Sequence, residues 1–110
     1  MDFQAIHEDC HNEGHAAAMA CQPVPMQIGG EVINDGVCGF ASVRFKGNTA
    51  WGRWAKKMGV ARPAYPNGLC IWVGAYNQSM ARKEAYARAY AQALTRNLPK
   101  VSAWCESRMD

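Results

Sequence analysis

Residues 1–36 contain no lysine or arginine, and the chain has no apolar run near the roughly 20 residues that a membrane-spanning helix needs. Cys-x-x-Cys is missing too, as are a Gly-x-Ser-x-Gly turn, a phosphate loop and a dinucleotide fingerprint. These absences remove membrane spans, thioredoxin-type redox chemistry and the common nucleotide-hydrolysing and serine-hydrolase plans from the reading. The opening MDFQAIHEDC is acidic and polar rather than basic and hydrophobic, so a cytosolic protein with no membrane partner is expected. Five cysteines, Cys10, Cys21, Cys38, Cys70 and Cys105, cannot all pair within one chain, and reduced thiols packed as small hydrophobes are the expectation.

What is present is a divided charge. Residues 1–36 hold Asp2, Glu8, Asp9, Glu13, Glu31 and Asp35, while the remainder holds all 12 lysines and arginines against Glu84, Glu106 and Asp110. Parts of −6 and +9 suit either a basic surface for an anionic partner or two surfaces that neutralise each other, within one fold or between two copies as a homodimer. With 110 residues, 49% hydrophobic and 19% charged, the chain is expected to form a single domain over residues 1–110.

The most strongly determined stretch is SMARKEAYARAYAQALTRNL, Ser79 to Leu98. Good helix formers fill it, Ser79 caps it, and Asn97, Leu98 and Pro99 suggest a left-handed terminus and a stop. Its alanines imply close approach to a neighbour, along the stripe Met80, Ala87, Ala91, Leu94 and Leu98 flanked by Tyr86 and Tyr90. Earlier, residues 3–20 form a helix capped by Asp2, with Gly14 weakening it, and PVPMQI forms an edge strand. Gly29, Gly30, Asn34, Asp35 and Gly36 mark a loop. Val37 to Lys46 alternates as a strand, and Asn48 or Thr49 caps a second helix that Gly59 and Val60 end as a Schellman motif. Trp51, Trp54, Ala55 and Met58 form its inward face. LCIWV, apolar on both faces, is a central strand with Trp72 in the core, and Val101 to Cys105 is the last strand. The order α-β-β-α-β-α-β predicts an α+β two-layer sandwich with a mixed sheet and helices packed mainly on one face. The strands flanking the long helix would be parallel if adjacent.

His7-Glu8-Asp9-Cys10-His11 matches His-Glu-x-x-His, and His7, His11 and His15 share a helix stripe able to offer two imidazoles to one Zn²⁺ with Glu8 as base. The third histidine comes too early for the extended metalloprotease pattern, and a solvated polar helix face explains the same residues. Cys38 on a tight turn would serve a thiol enzyme, though a buried strand cysteine is the commoner outcome. Nucleic-acid binding rests on Arg44 and Lys46 on one strand face, Arg53, Lys56 and Lys57 outside the second helix, and Arg62 in the loop. Tyr65, Trp72 and Tyr76 are the possible stacking rings.

The blocks PVPM, DGVCGFASV, the Trp-rich helix closing at KKMGV, QSMARKEAYARAYAQAL and the terminal ESRMD resemble a group of short, mostly uncharacterised accessory proteins of tailed bacteriophages. The resemblance spans residues 16–110 and leaves out the histidine motif. It implies a protein of the host bacterial cytosol that binds and blocks a host protein or ribonucleoprotein, inhibitors of bacterial immunity such as anti-CRISPR proteins included. It implies no catalytic residue. A non-enzymatic host-directed binder with no cofactor is therefore the first expectation, a nucleic-acid binder the second, and a small metal-dependent or thiol enzyme the third.

Overall fold

The computed structural model describes residues 2–23, 25–33, 38–77 and 79–109. The fold is α+β, in the order α1 (Phe3–Ala20), β1 (Met26–Ile28), β2 (Glu31–Ile33), β3 (Gly39–Phe45), α2 (Ala50–Lys57), β4 (Arg62–Pro63), β5 (Leu69–Trp72), α3 (Met80–Asn97) and β6 (Trp104–Met109). Each helix starts where a side-chain oxygen meets an orphan amide. Asp2 Oδ1 accepts from Ala5 N at 3.1 Å, Thr49 Oγ1 from Gly52 N at 2.9 Å and Ser79 Oγ from Arg82 N at 3.3 Å. Helix α2 ends in the Schellman pattern: Gly59, at φ 76°, bonds its amide to Lys56 O, and Val60 N reaches Ala55 O.

Strands β4-β5-β3-β6 make a four-stranded sheet, and β1 and β2 form a separate hairpin. Every ladder is antiparallel. This corrects the mixed sheet expected from the order of elements. β5 and β6, which flank α3, do run in the same direction, but β3 is inserted between them and each pairs with it. The helices take one side of this sheet. Ala41, Val43 and Phe45 from β3 and Leu69 and Ile71 from β5 meet Ala87, Ala91 and Leu94 of α3 in the core. Helix α2 joins through Trp51, whose ring packs on Phe45 and Phe3.

Helix α1 packs chiefly against α3. Cys10, Gly14 and Ala18, spaced by four, are the buried positions of α1 and let the two backbones approach. Arg82, near the start of α3, donates to the carbonyl of Ala18 at the end of α1, so the two helices run antiparallel. Arg96 pairs with Glu13, and Asn97 reaches Asp9. Part of the divided charge is thus neutralised inside one chain.

Several boundaries differ from expectation. Glu31–Ile33 is a strand rather than loop, because Gly29 and Gly30, both at positive φ, close a two-residue turn between β1 and β2. Asn34, Asp35, Gly36 and Val37 lie outside the described residues. Asn97 remains helical and bonds its side chain to Ala93 O instead of taking a left-handed turn. The last strand begins at Trp104, after Ser102 turns at φ 57°, and not at Val101.

Candidate nucleic-acid interface

Strand alternation decides which side chains share the side of the sheet that the helices leave uncovered. Across β3 and β6, Phe40 faces Arg108, Ser42 faces Glu106 and Arg44 faces Trp104. On the other flank Ser42 faces Trp72, Arg44 faces Cys70, and Cys70 faces Arg62. Period two puts all of these on the face opposite Ala41, Val43 and Phe45. Trp72 is 42% and Trp104 46% exposed there, so the expectation that Trp72 lies in the core is corrected. Alternation marks a strand as apolar on both faces; it does not say that a helix covers both.

The face interleaves cations and rings. The Arg62 guanidinium lies 5.8 Å from the Trp72 ring centroid, that of Arg108 5.4 Å from Phe40, and that of Arg44 5.9 Å from Trp104. Phe40 and Trp72 are themselves in contact, at 5.4 Å. Between them runs a groove of about 420 Å³ that also takes in Tyr65 and Glu106, and a volume of this order suits a small planar ligand.

Arg44 is the fixed centre of the groove. It is almost wholly buried, donates to Glu106 Oε2 at 2.7 Å, and donates to the carbonyls of Tyr65 and Asn67 at 3.2 Å each. Those bonds tie the β4–β5 loop to the strand and leave Tyr65, 92% exposed, standing at the rim. Arg62 and Arg108, by contrast, are exposed, and no ion pair engages either among the described residues.

Of the basic and aromatic residues singled out in the sequence, Arg44, Arg62, Tyr65 and Trp72 come together in this groove. Lys46 follows β3 and is exposed. Arg53, Lys56 and Lys57 are exposed on α2 and do not line it; Arg53 bonds back to Asn48 O. Tyr76 lies elsewhere, its hydroxyl on His15. Sequence reasoning missed Phe40, Trp104, Glu106 and Arg108 as partners. The alternation of Trp104, Glu106 and Arg108 was the available signal, hidden by ending the strand at Cys105.

The histidine stripe forms a second constellation with a different role. His7, His11 and His15 place Nδ1 against the hydroxyls of Tyr90, Tyr86 and Tyr76 at 2.6, 2.7 and 2.9 Å. Burial first, then neighbouring His11, push His7 below its usual value, with Glu8 partly offsetting them. Burial pushes Tyr86 up to about 12, with Tyr76 and Cys10 adding to it, and raises Tyr90 further. The stripe thus forms two rungs between α1 and α3 and a third from α1 to the segment that leads into α3. Among the described residues no three His, Cys, Asp or Glu side chains converge as a metal site.

All five cysteines are free, and Cys10 is buried as expected. Cys38 is exposed rather than buried in a strand, because it precedes β3 and makes only an isolated bridge to Ser79. No helix among the described residues is long and apolar enough to cross a membrane. Compared with family models, curated proteins and solved structures, the chain matches none.

Proposed function

We propose that this protein is a non-enzymatic binder that holds single-stranded nucleic acid on the uncovered face of its sheet. The observation that carries the proposal is the interleaving of Phe40, Trp72 and Trp104 with Arg44, Arg62 and Arg108 on one face. A single strand offers bases to stack and phosphates to neutralise at alternating positions, which is the complement of such a surface. A base that stacks on Trp72 displaces Arg62 from the ring. A cation–π interaction at an exposed site is worth about 0.5–1 kcal/mol, less than the 1–3 kcal/mol of a stacked base, so the exchange is favourable and frees the guanidinium for a phosphate. The resemblance to bacteriophage accessory proteins supports an infected bacterial cell as the setting and a host ribonucleoprotein as the source of the strand, blocked once its nucleic acid is held.

Fluorescence anisotropy with labelled dT and U 12-mers at low salt tests the proposal. Saturable binding is expected, with quenching of tryptophan emission, and Trp72→Ala weakens it roughly tenfold. No binding of either strand overturns it.

A second reading keeps the surface and changes the occupant to a host protein, such as a defence effector. It is favoured by β6, whose outer edge is unpaired among the described residues and offers six residues of backbone to an added strand. Under this reading the oligonucleotides fail, and affinity capture from the bacterial host retrieves a specific protein that Trp104→Ala releases.

A further inference from the structure

We infer that the groove reads a guanine base through Glu106, an inference that rests on the single-strand reading above. Glu106 is a carboxylate set among three arginines and three rings, in a groove otherwise built to attract anions. Its ion pair with Arg44 accounts for one of its two oxygens. Arg44 engages Oε2, and no partner engages Oε1 among the described residues, while the side chain stays 56% exposed. Because Arg44 is itself fixed by the carbonyls of Tyr65 and Asn67, the carboxylate it holds is oriented before any ligand arrives. Arg44 is thus a positioning residue, and Glu106 is the group that meets the ligand.

A carboxylate only accepts hydrogen bonds. The pairing edge of thymine or uracil puts one N–H between two carbonyl oxygens, which the carboxylate repels. Adenine and cytosine each place an amino donor beside a ring-nitrogen acceptor. Guanine alone presents two adjacent donors, N1–H and the 2-amino group, which match the free oxygen and the remaining lone pair of the bonded one. Stacked on Trp72 or Phe40, a guanine would turn that edge toward β6, where Glu106 stands across from Ser42. Arg62 and Arg108, on either side, are then placed for the flanking phosphates.

The test measures anisotropy of labelled dT 12-mers carrying one central dG, dA, dC or dT, and of the RNA counterparts, against the folded wild-type chain and Glu106→Gln. The dG strand should bind at least tenfold more tightly than the all-dT strand, the discrimination of one good base contact. Glu106→Gln should lose that preference, with its affinity for dT rising, because the carboxylate that repels thymine's carbonyls is gone. If Glu106→Gln fails to fold by circular dichroism, the wild-type ranking of the four strands decides alone. Equal affinity for the four bases overturns the guanine inference and leaves the platform standing. Binding of none overturns both. Free 5′-GMP should compete only at far higher concentration, since it fills one subsite, and competition at equal concentration would assign the groove to a free nucleotide instead.

Discussion

Gly14 sits mid-helix where propensity disfavours it, and the structure supplies the reason. A Cβ there would lie 2.8 Å from Cδ2 of Tyr86 and 3.1 Å from its backbone oxygen. Tyr86 cannot easily give way, because its ring is buried and its hydroxyl is held by His11. Gly14→Ala gains about 1 kcal/mol of helix propensity but overpacks a close helix contact, which costs roughly 1–3 kcal/mol. The expected result is a net loss of about 1 kcal/mol, read as a lower urea midpoint at unchanged slope. Glycine in a helical pattern looked like a weakness in sequence because Tyr86, the residue that needs the space, lies far along the chain.

The joint between α1 and α3 makes a pH prediction. His7 binds its proton less readily in the fold than in the unfolded chain, where the usual value is 6.5. The unfolded state therefore takes up more protons in acid, so stability is present above pH 6.5 and is lost as pH falls through the depressed folded value. Tyr86 and Tyr90 act at the other end: their folded values lie above the usual 10, so stability is lost as pH rises past it and the unfolded chain ionises. Thermal melts across pH should trace a dome with these two limbs. His7→Gln keeps a partner for Tyr90 and should shallow the acid limb alone; an unchanged acid limb would remove His7 as its cause. At this scale the helices were legible in sequence, stripe and caps included, since those signals lie within a few residues. The tyrosine partners of the stripe were not, being 61 to 83 residues away.

For the whole molecule, local pattern carries the least information. Arg44, Arg62, Tyr65 and Trp72 stood out as individual residues, but their meeting depends on β3 pairing with β5 across the intervening α2, which no short-range signal encodes. The same topology separates the groove from Arg53, Lys56 and Lys57, which have equal charge in the sequence and no place in the site. Salt dependence measures that separation. Each phosphate neutralised on a single strand contributes a slope of about −0.7 in log K against log salt. Arg62 and Arg108 are exposed and free of ion pairs among the described residues, whereas Arg44 is committed to Glu106 and two carbonyls. Replacing Arg62 and Arg108 together by glutamine should therefore flatten the slope by about 1.4 and weaken binding most at low salt. Replacing Arg53, Lys56 and Lys57 together should leave slope and affinity as they were, because α2 packs by Trp51 on the helical side of the sheet. A triple variant that loses as much slope as the arginine pair would move the binding surface from the open sheet face to α2.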